Sequence, residues 1–171
     1  VHLQQRMGKD DIEHLKADYD FVVIAAGASK PRTLNVPGKE VAVYANDFLA
    51  GARESRMDAG QKVVVIGAGN VGCDAAAEAA RLGAKEITLI DVQKPASFGE
   101  ERRMAESAGA VFRWPCFVRE ITEQGVVLES GEVIAADKVV ISIGDVPDTA
   151  FLPDSVDLEN GFVKVDSYFQ T

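Results

Sequence analysis

Gly67, Gly69 and Gly72, followed by Asp91, are the residues of this chain whose types and spacing point to chemistry. The glycines form a G-x-G-x-x-G pattern in "KVVVIGAGNVGCDAAAEAARLGAKEITLIDV", between an apolar β-branched run and a small-residue run of helical character. In such a loop the first glycine permits a tight turn, the second lets a pyrophosphate approach the backbone, and the third lets helix and strand pack closely. The free N–H groups of the helix start then face the phosphates. Asp91 lies 24 positions after Gly67, near the roughly 20 expected of a carboxylate that hydrogen-bonds a ribose 2′-hydroxyl. The spacing predicts a dinucleotide site with Gly67, Ala68, Gly69, Asn70, Val71, Gly72 and Asp91 as binding residues. The structural alternatives are a tight turn in an α/β domain and an exposed aspartate at a strand end. A carboxylate at that place repels a 2′-phosphate, so the sequence leans to NAD over NADP. Lys94, Arg102 and Arg103 are the cations that keep NADP open, or else form a solvated helix face.

The elements that must position these residues can be read along the chain. Residues 63–66 predict a buried strand, 71–82 a helix ended by Gly83, and 87–90 a second strand, which together make one right-handed parallel βαβ unit. Upstream, "DFVVIAA" over 20–26 is a short β-branched run stopped by Gly27 and predicts another buried strand. "GASKPRTLNVPGKE" carries two prolines and two glycines and predicts a loop. "VYANDFLAGARESRMDAG" has apolar residues at helical spacing, with Asn46 or Asp47 to cap its start and Gly60 to close it, and predicts a connecting helix. Downstream, a helix over 100–108 precedes "VFRWPCFVREI", "VVLES" and "KVVISIG", three short strands separated by turn signals that predict a β-meander. The tail "LENGFVKVDSYFQT" predicts a hairpin-like pair. The pattern is α/β.

Composition narrows the classes of function. The chain of 171 residues is 47% hydrophobic and 26% charged, the make-up of an ordinary globular protein rather than a disordered one. Its net charge of −9, with no local run of lysine and arginine, makes nucleic acid a poor partner. The sequence shows neither the roughly 18 apolar residues of a membrane helix nor a signal-peptide start, so no membrane partner and a cytoplasmic location are expected. Cys73 and Cys116 are too far apart for a C-x-x-C pair, and they predict two buried free thiols rather than a zinc or dithiol site. His2 and His14 have no carboxylate or cysteine spacing around them that suggests a site, and no metal ligands are predicted.

Two further stretches carry a family resemblance. "VVIAAGASKPRTLNVPG" resembles the A-T-G-x-x-P-R segment of the pyridine nucleotide-disulfide oxidoreductase superfamily, the FAD/NAD(P)-binding flavoproteins, and "KVVISIGDVPDTAFL" resembles that segment's second copy. The resemblance implies a Rossmann-like three-layer FAD/NAD(P)-binding domain with a β-meander, plus fragments of a second such domain, and it adds Ile143 and Gly144 to the cofactor-binding residues. Within the superfamily, "RLGAKEITLI", "KPASFGEERRMAESAGAVFRW" and "YDFVVIAAGA" look most like the branch holding the small subunit of bacterial glutamate synthase and related ferredoxin-linked reductases. NADPH-using members of that branch carry a basic pair after the second strand, where this chain has Asp91-Val92-Gln93-Lys94. The family's N-terminal FAD glycine fingerprint and its closing Gly-Asp motif are not found between Val1 and Thr171, nor is a C-x-x-C in "FLAGARESRMDAGQ".

The resemblance implies a partial chain. Residues 1–60 would be the end of an FAD domain's first segment with a connecting helix, 61–146 the NAD(P)-binding domain, and 147–171 the start of the return to the FAD domain. The intact parent would be a pyridine-nucleotide-dependent flavin oxidoreductase passing hydride between nicotinamide and FAD. FAD would not be held by this piece alone, which is expected to be inactive, and no residue in it need act as general acid or base. Implied partners are the dinucleotide, the missing FAD-domain segments and an iron-sulfur or larger redox subunit. A non-catalytic nucleotide-binding or subunit-interface module is the alternative.

Overall fold

The computed structural model describes residues 2–54 and 57–171. In chain order the elements are α1 (Lys9–Asp18), β1 (Lys30–Pro31), a 3₁₀ turn at Lys39–Val41, β2 (Val43–Tyr44), α2 (Ala45–Arg53), β3 (Lys62–Ile66), α3 (Asn70–Arg81), β4 (Glu86–Ile90), α4 (Gly99–Ser107) and β5 (Val111–Arg113). They continue as β6 (Val118–Thr122), β7 (Gly125–Leu128), β8 (Val133–Ala135), β9 (Lys138–Ile141), β10 (Asp145–Val146), β11 (Leu158–Glu159) and β12 (Phe162–Val163). The chain divides into two compact units, one made of 32–144 and the other of 1–31 with 145–171.

In the 32–144 unit a five-stranded parallel sheet runs in the order β2-β9-β3-β4-β5. Alternation along its strands sends side chains to two faces. Val63, Val65, Ile87, Leu89 and Val140 join Cys73, Ala75, Ala76 and Ala79 of α3, Phe48 of α2 and Ala105 of α4 in one core. Val64, Ile66, Ile90, Val139 and Ile141 face the other way, onto Ile121, Val126 and Leu128 of the antiparallel meander β6-β7-β8. Helices, parallel sheet and meander are therefore three layers with a core at each interface, as a sheet with two apolar faces requires. The small side chains on the buried stripe of α3 let it lie close on the sheet, the strand and helix expected around the glycines.

The sequence expectations need four corrections in this unit. "KVVISIG" is not the third strand of the meander: Val139 and Val140 have no polar alternation, and the strand that carries them enters the parallel sheet between β2 and β3. The third meander strand is instead β8, and "VFRWPCFVREI" is two strands, β5 in the parallel sheet and β6 in the meander, separated at Trp114 and Pro115. The unit also takes in 32–60, which the sequence placed with the other piece, because β2 pairs with β9 and Phe48 of α2 is wholly buried against the sheet. The connecting helix forms as α2, but no side chain caps it and neither Asn46 nor Asp47 occupies its N-cap, which is Tyr44. Ser55 and Arg56, in the stretch predicted to continue that helix, lie outside the described residues.

In the unit of 1–31 and 145–171, β1 pairs antiparallel with β10, and β11 with β12 forms the expected hairpin. Lys9 of α1 pairs with Asp154, and Lys16 and Glu13 both bond the Ser155 hydroxyl, so α1 is tied to the return segment. The buried strand expected over 20–26 is not formed: Phe21 is 84% and Val23 85% exposed. A buried strand needs hydrogen-bonded neighbours and a covering layer, and among the described residues this segment pairs with no strand.

Candidate functional site

The chain leaves β3 through α3 and α4 toward β4 and β5 on one side, and after the meander returns as β9 on the other. The strand order therefore reverses between β3 and β9, and the crevice beyond the carboxyl ends of strands at such a switch point is where open α/β sheets bind ligands. Gly67 leaves β3 there with φ 104°, and its N–H donates to the Ile90 carbonyl at 2.8 Å. A Cβ at Gly67 would lie 2.1 Å from the Ser142 carbonyl oxygen, at the end of β9. A Cβ at Gly72 would lie 2.2 Å from the Gly67 carbonyl oxygen. Both glycines are thus demanded by close backbone packing, one against β9 and the other between the helix and its own loop.

Gly69 differs. It is the N-cap of α3 with φ −78° and ψ −176°, ordinary extended backbone, and a Cβ built on it meets no atom within 4 Å. No side chain caps α3, so its first-turn N–H groups stand at an open face, where the helix dipole favours an anion. Val71, in that first turn, is 44% exposed.

Asp91 follows β4 and turns back on the loop. Its Oδ2 accepts the N–H of buried Ala68 at 2.9 Å, and its Oδ1 accepts the Gln93 N–H at 3.2 Å. Each carboxylate oxygen has a second lone pair, so the group retains acceptor capacity for a ribose hydroxyl. The Asp91 backbone is gripped by the segment after β5: its N–H donates to the Arg113 carbonyl at 3.1 Å, and its carbonyl accepts the Cys116 N–H at 2.8 Å.

Asn70 points its side chain at the start of α4 rather than outward. Its Oδ1 accepts the Phe98 N–H at 3.0 Å and its Nδ2 donates to Glu101 at 3.3 Å. Asp91 and Asn70 thus fasten both ends of the 91–98 loop to the glycine turn. Asp74, on the second turn of α3, has its carboxyl pushed up by burial and by the nearby Glu101 charge. Burial likewise pushes up the thiols of Cys73 and Cys116, both free and buried.

Ile143 is half-buried against the meander-side core, and Gly144, with φ 91°, accepts the Arg32 N–H at 3.0 Å. Of the cations considered for a 2′-phosphate, Arg102 is engaged by Glu106 and Ser97 and lies 4.1 Å over the Phe112 ring, while Arg103 donates to the Gly99 carbonyl. Lys94 lies exposed on the 91–98 loop. Sequence reasoning missed Ser142 and Arg32, which the topology, not any spacing, brings to the turn beyond β9. Among the described residues, no cluster of three or more His, Cys, Asp or Glu could hold a metal ion, and no helix is long and apolar enough to cross a membrane.

The chain is similar in sequence to known proteins and in fold to a solved structure. Human apoptosis-inducing factor 3 is 33% identical over 91% of the chain, and the NADPH-Fe(3+) oxidoreductase subunit beta of Geobacter sulfurreducens is 30% identical over 90%. The chain spans only 28% of the length of each of these curated relatives. The crystal structure of T. acidophilum thioredoxin reductase superposes with a TM-score of 0.67 at 26% identity, covering 82% of this chain and 50% of that one. The family model described as pyridine nucleotide-disulphide oxidoreductase matches residues 2–171, and the chain belongs to that family.

Proposed function

We propose that this chain forms the NAD(P)H-binding part of an FAD-dependent oxidoreductase in which hydride passes between nicotinamide and flavin. The observation that carries the reading is the open face of Gly69 over the uncapped start of α3, at the switch point of the parallel sheet. A dinucleotide fits the residues present: the N–H groups at the start of α3 would hold the pyrophosphate, and Asp91 would accept the adenosine ribose 2′-hydroxyl. The turn at Ile143 and Gly144 would border the opposite side of the crevice. When bound, the nicotinamide supplies the hydride chemistry, and the protein supplies binding and orientation.

Asp91 favours NADH, because a 2′-phosphate would meet its carboxylate and because Arg102 already has partners. The Geobacter relative is named for NADPH, so cofactor choice in this chain rests on Asp91 and Lys94 themselves. That relative is also named as a beta subunit, which supports a larger redox partner. Placement in the glutamate synthase small-subunit branch rests on the three sequence stretches quoted above. The test is a calorimetric titration of the chain with NADH and NADPH. Saturable binding at one site, tighter for NADH, supports the reading, and no binding of either refutes it.

A further inference from the structure

We propose that Trp114 forms the base-stacking wall of an adenine subsite beside Asp91, a reading that rests on the dinucleotide site proposed above. Three observations carry it. The backbone around Trp114 is fastened to Asp91 on both sides, through the Arg113 carbonyl at 3.1 Å and the Cys116 N–H at 2.8 Å. This places the backbone of Trp114 beside that of Asp91, the residue that would hold the adenosine ribose. The strands that carry the two segments are neighbours in register, with Ile90 opposite Arg113, so the spacing between the Asp91 and Trp114 backbones is set by the sheet rather than by a free loop.

The second observation is exposure. Trp114 is 44% exposed, although a tryptophan side chain carries one of the largest apolar surfaces available to bury. Arg113 beside it is committed, its guanidinium paired to both carboxylate oxygens of Glu132 at 2.8 and 2.7 Å, which ties the end of β5 to the turn after β7 and steadies the segment that bears the indole. The third is charge. The chain carries a net −9, and an uncharged purine offers a π-face that an aromatic ring binds without any ionic contribution.

Trp114 is the chain's one tryptophan, so its fluorescence reports on this position alone. The experiment titrates the 171-residue chain with ADP-ribose, which lacks nicotinamide, and with nicotinamide mononucleotide, following tryptophan emission and calorimetric heat together. The subsite requires saturable quenching by ADP-ribose at the midpoint seen by calorimetry, and none by nicotinamide mononucleotide at equal concentration. Trp114→Ala should weaken ADP-ribose and NADH by the same factor, roughly tenfold for a lost base stack, and Trp114→Phe should retain most of the affinity. Phe117→Ala, which removes the neighbouring half-exposed aromatic, should leave it unchanged. ADP-ribose that binds calorimetrically without changing the emission, or a folded Trp114→Ala of wild-type affinity, overturns the subsite while leaving the dinucleotide reading standing. Wild-type protein that binds neither NADH nor ADP-ribose refutes the dinucleotide reading, and the subsite falls with it.

Discussion

The Oδ2 of Asp91 accepts the N–H of Ala68 at 2.9 Å, joining the end of β4 to the middle of the glycine turn. The same carboxylate is therefore a clamp on the loop as well as the proposed ribose acceptor, and substitutions separate the two. Asp91→Asn keeps an acceptor for the Ala68 N–H and should melt like wild type. Asp91→Ala leaves that buried N–H unpaired and should lose about 1–3 kcal/mol of stability. In binding, Asp91→Ala should weaken NADH more than NADPH, by an amount on the order of 1.5–3 kcal/mol for a lost hydrogen bond to a charged group. Denaturant melts and calorimetry check both arms, and equal losses for the two cofactors would reduce Asp91 to a clamp alone.

Phe48 tests whether 32–60 is an integral part of the unit built on the parallel sheet. It is fully buried in the helix-side core, so Phe48→Ala should cost about 3–5 kcal/mol. A urea melt that follows the 32–144 unit reads this directly, and a loss below about 1 kcal/mol would mean that α2 is only an appendage.

What the sequence showed plainly was the βαβ unit and its glycines, because a strand, a turn and a helix packed on each other are specified locally. The roles of the three glycines were less legible. Gly67 is held by contact with Ser142, 75 positions away in the chain, and no spacing rule records that contact. The central place of β9 was hidden for the same reason: an apolar run such as 139–141 reads alike in a parallel sheet and in a buried meander, and only the crossover decides. The run at 20–26 has strand composition but, among the described residues, no pairing partner, and composition cannot reveal that.

Acid should loosen the start of β3 through Asp137. Its Oδ2 accepts the backbone N–H groups of Gln61 at 2.7 Å and Lys62 at 2.9 Å, and these bonds, that to Lys62 foremost, hold its carboxyl below the usual carboxylate range. A folded value below the unfolded one gives a contribution that is present above the unfolded value, about 3.9, and is lost as pH falls through the folded value. Stability measured in urea should therefore decline below about pH 4, and less steeply in Asp137→Asn. An identical acid profile in the variant would remove Asp137 from that role.

Both thiols should resist alkylation. Burial pushes Cys73 and Cys116 up from the ordinary thiol value, and the thiolate is the reactive form. Iodoacetamide at pH 7.5 should label neither cysteine in the folded chain and both in urea, as read by intact mass. Rapid labelling of the native protein would contradict the buried placement.

Gly69→Ala tests the proposed dinucleotide site most directly, since its backbone conformation suits alanine and a Cβ there meets no atom within 4 Å. The added methyl group has room in the fold and stands where the proposed pyrophosphate would approach the backbone. Gly67→Ala and Gly72→Ala, whose Cβ atoms would lie 2.1 and 2.2 Å from carbonyl oxygens, should instead lose stability. The decisive measurement pairs a thermal melt with an NADH titration of wild type and Gly69→Ala. An unchanged melt with affinity reduced at least tenfold is the predicted result, and an unchanged melt with wild-type affinity would contradict the placement of a pyrophosphate on this turn.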